Sequence, residues 1–254
     1  MTRRISQFAP AIVLLGILAV VWQIVAVHNR FLIPRLGQIW AELVHHPGEF
    51  LRASGVTLQE TVVGLVASMV VAFVLALAMS HVPLVERAVM PLAVILNVTP
   101  VVSLAPGLAV AFGFGLTPRY LVTGIIVFFP LLINALAGLR SVDPEALDYF
   151  LSLDAGRRDQ LIHLRIPSSL PFLFAAARIC FPLGVIGAVV AEFSAAGNRN
   201  GLGSLIELAT QQTYLPQVYA AIVCLALLGL AFTFFVVALE RRLLASDRGR
   251  SAGS

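Results

Sequence analysis

"VDPEALDYFLSLDAGRRDQLIHLRIPSSLP", Val142 to Pro171, is a charged segment set between two of the most apolar runs of a very apolar chain. It carries helix signals rather than those of a slack loop. Asp143 offers an N-cap oxygen, Pro144 suits a first turn that needs no backbone N–H, and Glu145 puts a carboxylate at the positive end of the helix dipole. Leu147, Phe150 and Leu151 then share one face, which predicts an amphipathic helix ending near Leu153. "DAG" makes a turn. "RRDQLIHLRI" predicts a second helix with Leu161 and Leu164 together, stopped by Pro167, and Pro171 begins the next apolar run. The pair forms a compact knob that a partner protein can grip.

The knob belongs to an integral membrane protein. The chain has 254 residues, of which 59% are hydrophobic and 12% charged, and its mean hydropathy of +0.94 exceeds what one soluble core can hide. All 17 basic residues are arginine. They cluster at the ends of apolar runs, which reads as membrane topology and not as a nucleic-acid footprint. Cys180 and Cys224 lie within apolar segments and read as small packed hydrophobes, so neither a disulfide framework nor a metal cluster is expected. The N-terminal "MTRRISQFAPAIVLLGILAVVWQIVAV" starts like a signal peptide, but its apolar run is too long and lacks a cleavage site, so it reads as a retained helix.

A bilayer core of about 30 Å needs roughly 20 apolar residues per helix. Six runs qualify: Ala9 to Val27, Thr61 to Ser80, Met90 to Phe114, Tyr120 to Leu139, Phe172 to Ala191 and Ala220 to Leu239. The third contains Pro100 and Pro106, and must be one bent helix or two short ones. Cytoplasmic loops keep the positive excess. With both termini inside, eleven arginines fall on the cytoplasmic side and five outside, among them Arg30, Arg119 and Arg199, with Arg178 inside a span. The insert is then cytoplasmic. The longest external piece, His28 to Leu58, holds "GQIWAELV", an interfacial helix with Ile39, Trp40 and Leu43. The tail Ala245 to Ser254 is expected to be disordered. No repeat or appended soluble domain appears, so residues 1–254 read as one all-α membrane domain.

No HExxH, GxSxG or GxxxxGK[ST] motif is present, so the chain is not expected to hydrolyse ATP itself. His28, His45, His46, His81 and His163 are placed in loops, and no metal site is expected. Polar groups inside spans cost free energy unless they face a cavity or a partner. Asn97, Thr99 and Ser103 around Pro100, Asn134 in the fourth run and Glu192 at the outer end of the fifth are therefore candidates for a translocation pathway. Asn134 also fits bonding across or within helices, Glu192 fits a solvated end as well as a gate, and Arg178 fits snorkelling or an ion pair.

The residues resemble the permease subunits of ATP-binding cassette (ABC) importers. These carry, before their fifth core helix, Glu-Ala-Ala, three residues, Gly, nine residues, then Ile-x-Leu-Pro. On this chain the Glu falls on Asp148, the alanines on Tyr149 and Phe150, the Gly on Asp154 and the Leu-Pro on Ile166 and Pro167. A wider resemblance, from Thr57 to Leu243, includes "TPVVSLAPGLAVAFGFG", "FFPLLINALAGLRSVDPE", "IGAVVAEF" and "GLGSLI". It is similar to the branch importing nitrate, sulfonates, taurine and vitamin precursors such as pyrimidine and riboflavin types. Asp148 keeps the motif's charge, while Tyr149 and Phe150 enlarge the surface and imply a roomier groove on the partner. Asp154 replaces a glycine with one of the few residues that tolerate the left-handed region and also cap a following helix. Gly156 would share the backbone demand, and the turn is expected to have unusual geometry.

The resemblance implies a six-helix type I importer permease with cytoplasmic coupling helices in a loop over 140–170. The ATPase-docking region is then Glu145, Asp148, Tyr149, Phe150, Leu153, Asp154, Ala155, Gly156, Arg157 and Arg158. Expected partners are cytoplasmic ATPase subunits, an extracytoplasmic substrate-binding protein and a second copy of this chain, in the lipid bilayer of a prokaryotic inner membrane. ATP and Mg would be bound by the partner ATPase, and no cofactor by this chain. The competing readings are a stand-alone ion-coupled carrier, which needs a carboxylate near the membrane midplane, and an intramembrane enzyme, disfavoured by the missing motifs.

Overall fold

A backbone in hydrocarbon must satisfy its own N–H and C=O groups, and the apolar runs accordingly fold as helices. A computed structural model describes residues 2–29, 33–193 and 200–251, with side chains at 10, 13–29, 33–193 and 200–242. Arg30, Arg199 and positions 194–199 of the Gly-rich turn after Glu192 lie outside the described residues. In chain order the helices are α1 (Thr2–His28), α2 (Leu36–His45), α3 (Pro47–His81), α4 (Pro83–Val98), α5 (Val101–Phe112), α6 (Leu116–Arg140), α7 (Pro144–Ser152), α8 (Arg157–Gln160), a π-helical turn (Leu161–Arg165), α9 (Ile166–Phe193), α10 (Leu202–Gln211) and α11 (Leu215–Ser251).

Among the described residues, four helical stretches are long and apolar enough to cross a membrane: α3, α6, the run Arg157–Phe193 and α11 as far as Arg242. α4 and α5 make a fifth if counted as one broken span, and α1 supplies a shorter apolar stretch, Val13–His28. The proline-containing third run is two helices. Their axes differ by 100°, because Pro100 has no N–H to donate and forces Thr99 out of the helical region, to φ −65 and ψ 128. Thr99 Oγ1 recovers one loose carbonyl, donating to Ile95 O at 2.7 Å. Pro106, in contrast, is accommodated within α5.

Three expectations are corrected. Pro167 does not stop a helix: the π-helical turn directly before it widens the backbone, absorbs the missing N–H and leads straight into α9, which also contains Pro171. The insert is thus one free helix, α7, followed by a spanning helix that starts at Arg157. The polar tail is helical through Ser251, because the strong helix formers of "LERRLLA" propagate α11 beyond its apolar part. The histidines do not sit in loops as a set. His28, His45 and His81 end α1, α2 and α3, and His163 lies in the π-helical turn. His28 Nδ1 and His81 Nδ1 lie 3.0 and 2.9 Å from the carbonyls of Ile24 and Leu77, in the last turns of their helices.

The bundle centre is α3, α6 and α9, which meet through small residues. A Cβ on Gly64 would come within 2.7 Å of Thr123 Cβ, one on Gly138 within 2.9 Å of Ser169 Cα, and one on Gly187 within 3.0 Å of Thr123 Cα. Toward the α7 end the core is Ala72, Ala76, Met79, Leu132, Leu139 and Phe181, and α11 joins it by stacking Phe232 on Phe181. An ion pair from Arg178 to Glu240 also ties α9 to α11. At the opposite end, Ile39 of α2, Phe50 of α3, Leu202 and Leu205 of α10 and Ala220 of α11 form a separate layer. Arg119, expected in an external loop, is buried in α6.

Overpacking such a contact costs about 1–3 kcal/mol. Gly138→Val is therefore expected to lower the melting temperature of the detergent-solubilised protein, whereas Gly16→Ala, which meets nothing within 4 Å, leaves it unchanged. Equal melting of the two variants would show that close α6–α9 approach is not what holds the bundle.

Candidate functional site

The insert is built by its caps. Asp143 accepts from Glu145 N at 3.0 Å, and α7 follows from Pro144. Its end is a Schellman motif: Ala155 N donates to Phe150 O and Asp154 N to Leu151 O, both at 3.0 Å. Asp154 occupies the left-handed position of that motif at φ 53. The turn is therefore of a common kind, and aspartate serves where glycine is usual. Gly156 does not share the demand: its φ is −63, and it is the N-cap of α8 without a side-chain bond from Asp154. Glu145, Asp148, Leu153, Arg157 and Arg158 are exposed, and Phe150 and Ala155 are half-buried. Tyr149, Leu151 and Leu153 are 63%, 56% and 62% exposed, an apolar surface on a helix that no other element covers.

The opposite end holds a buried polar cluster. Glu192 closes α9, wholly buried. Its Oε1 accepts from Thr57 Oγ1 at 2.7 Å and its Oε2 from Ser204 N at 3.0 Å, while Thr57 Oγ1 accepts from Leu202 N at 2.9 Å. Side chains of α3 and α9 thus satisfy two of the orphan N–H groups that open α10. Gly201, the N-cap, leaves the space that the Glu192 carboxylate occupies, and a Cβ there would displace that carboxylate. Beside this cap, Arg119 Nη1 donates to Glu60 Oε1 at 2.7 Å, with both side chains at most 1% exposed, and Glu192 lies within electrostatic reach of Glu60.

The other pathway candidates are scattered. Asn97 and Ser103 are exposed on either side of the α4–α5 break, and Thr99 is half-buried at it. Asn134 is half-buried in α6 and donates to Pro130 O of its own helix at 2.8 Å. Between α3 and α6, closed on one side by Leu96 of α4, runs an apolar groove of about 290 Å³ lined by Gly64, Ser68, Val71, Tyr120 and Phe128. Sequence reasoning missed Thr57, Glu60 and Arg119 as a set. Pro118 was the available signal for Arg119: a proline in the first turn puts the helix start at Leu116 and Arg119 inside it. α10 was also legible, from Leu202, Leu205 and Ala209 recurring on one face after Gly201.

These features, a broken span, a capped polar insert and helices packed through glycine, coincide with a match over residues 64–245 to the model of the binding-protein-dependent transport system inner membrane component. The chain belongs to that family. It is a permease of the type I ABC importer class and a multi-pass membrane protein. The permease is 33% identical to the formylaminopyrimidine transport permease protein of Halalkalibacterium halodurans over 247 residues, 96% of this chain and 98% of the relative. It is 36% identical to the riboflavin transport system permease protein of Chloroflexus aurantiacus, over 65% of this chain and 61% of that one. To the taurine transport system permease protein of Escherichia coli it is 27% identical, covering 90% and 86%.

The remote cap of α10 has a direct test. Thr57→Val strands the Leu202 N–H and one carboxylate oxygen, a loss of about 1–3 kcal/mol. Amide hydrogen exchange at Leu202 and Ser204 in the permease is expected to accelerate, and Thr57→Ser to restore protection. Unchanged exchange in Thr57→Val would mean that α10 is held by its apolar face alone.

Proposed function

We propose that the permease forms the membrane pathway of an importer powered by separate ATPase subunits, and that α7 with its Schellman turn is the surface those subunits grip. The carrying observation is that the apolar side chains Tyr149, Leu151 and Leu153 are left exposed around a well-capped helix and its C-cap. An uncovered apolar patch on an ordered, otherwise charged segment fits a protein partner. ATP and Mg belong to that partner, and this chain catalyses no bond chemistry. Closure of the ATPases would displace the insert and reorient the spans to give alternating access. An extracytoplasmic binding protein would deliver substrate on the α10 side.

In this reading the chain has six spans, α1 included and α4–α5 counted as one, with both termini and the insert in the cytoplasm of a prokaryote. A second copy completes the pathway. Support comes from the break at Thr99–Pro100, where Val98 and Val102 are 75% and 60% exposed: irregular backbone at membrane depth needs cover or a water-filled cavity, which a second copy across the break supplies. Asn97, Thr99 and Ser103 would then line the route. The substrate is a small solute of the vitamin-precursor type, as the names of the formylaminopyrimidine and riboflavin relatives suggest, with an apolar groove wall that suits a neutral heterocycle better than a sulfonate, taurine or nitrate. An ion-coupled carrier is less well supported, because the buried carboxylates Glu60 and Glu192 both sit at the α10 end and are engaged there.

Charge reversal at Arg157 and Arg158 is expected to abolish co-purification of the ATPase while leaving membrane insertion intact. Retained ATPase binding would remove the insert from the docking role. In proteoliposomes with the whole system, uptake of labelled formylaminopyrimidine or riboflavin should require ATP. Transport driven by an ion gradient without ATP would establish the carrier reading instead.

A further inference from the structure

Arg140 is the last residue of α6 and stands three residues before the Asp143 cap of the insert. Its guanidinium grips Glu86, in the first turn of α4, by two parallel bonds: Nη1 to Oε1 at 3.0 Å and Nη2 to Oε2 at 2.6 Å. Among the described residues these are the only side-chain hydrogen bonds that join α4 to another helix. The rest of α4 is loosely held. Ala93 is its one fully buried residue, and Val85, Val89 and Met90 lean on the core. At its far end α4 runs into the 100° break with α5.

The root of the insert is rigid by comparison. Leu139 is buried, Gly138 is pressed against Ser169 with no room for a Cβ, and Ser141 Oγ donates to Gly138 O at 2.9 Å. A displacement of the insert is therefore not absorbed at its root and reaches Arg140. A bidentate guanidinium–carboxylate pair fixes orientation as well as distance, so it passes on rotation as well as translation. The two side chains are 46% and 29% exposed, so water can replace either partner and the pair can open and re-form during a cycle. The buried Glu60–Arg119 pair has no such freedom.

We infer that Glu86 and Arg140 form a strut, two positioning residues that carry movement of the insert into α4 and so to the break at Thr99–Pro100. The inference rests on the importer reading above.

The test uses the full permease–ATPase complex with Val102→Cys as a reporter on α5 and Cys224→Ala to remove the accessible native thiol, Cys180 being buried. N-ethylmaleimide labelling of the reporter is measured with and without ATP. With the strut intact, ATP is expected to change the labelling rate. Glu86→Gln and Arg140→Gln should each reduce that change about fivefold or more while ATP hydrolysis stays within about twofold, and the exchange Glu86→Arg with Arg140→Glu should restore it. An unchanged signal in the parent, unaltered single variants, or an exchange that fails to restore the response would each overturn the strut. A complex that neither assembles nor hydrolyses ATP overturns the importer reading itself, which is a distinct result.

Discussion

Everything in this fold depends on how closely α3, α6 and α9 approach one another. Lipid tails are as apolar as leucine, so no hydrophobic force pulls spanning helices together, and association must come from close packing and interhelical hydrogen bonds. Gly64, Gly138, Gly184 and Gly187 supply the close contact, each with a neighbouring side chain or backbone atom where a Cβ would stand. The same closeness puts Ser68 Oγ within 2.9 Å of Gly124 O across the helix pair. Loosening one crossing would separate the polar pairs that depend on it. The glycines thus set the depth and rotation at which α3, α6 and α9 hold their polar groups.

Polar groups divide by how they are satisfied. Glu192, Thr57 and the N-terminus of α10 satisfy one another with no water required, which makes α10 an integral part of the α10 end despite its short length. Asn134 and Thr99 bond to carbonyls within their own helices, an inexpensive arrangement that needs no neighbour. Asn97 and Ser103 have neither solution in the isolated chain. They are exposed beside a broken backbone, and it is this combination, rather than their polarity alone, that the proposed pathway at the α4–α5 face rests on.

Much of this was legible in the sequence wherever the deciding chemistry is local. The start of α7 follows from Asp143, Pro144 and Glu145, the break from Thr99 and Pro100, and the left-handed turn from the few residues able to take Asp154's place. Local rules failed where tertiary packing decides. Pro167 reads as a stop, yet a π-helical turn and the packing of Ser169 on Gly138 carry the helix past it. Arg119 reads as a loop cation because its partner Glu60 is 59 residues away, and Glu192 reads as a gate or a solvated end because its partners Thr57 and Ser204 come together only once α3 and α10 have docked.

The two arginines of α6 then take on a joint meaning. Arg119 and Arg140 are twenty-one positions apart with no charge between them, about 32 Å of helix at 1.5 Å per residue, close to the thickness of a bilayer core. Each is paired to a glutamate, but in opposite surroundings. The Glu60 pair is dry, and removing one partner would leave a buried charge at a cost of about 3–5 kcal/mol, so that end of α6 is fixed to α3. The Glu86 pair is wet, so it can break without stranding a charge. α6 itself is held at both ends, by Glu60 at one and by the Gly138–Ser169 contact at the other, so the element that an opening Glu86 pair releases is α4. On the importer reading, movement imposed at the insert would pass to α4 through the Glu86 pair, while the capped α10 end keeps its form.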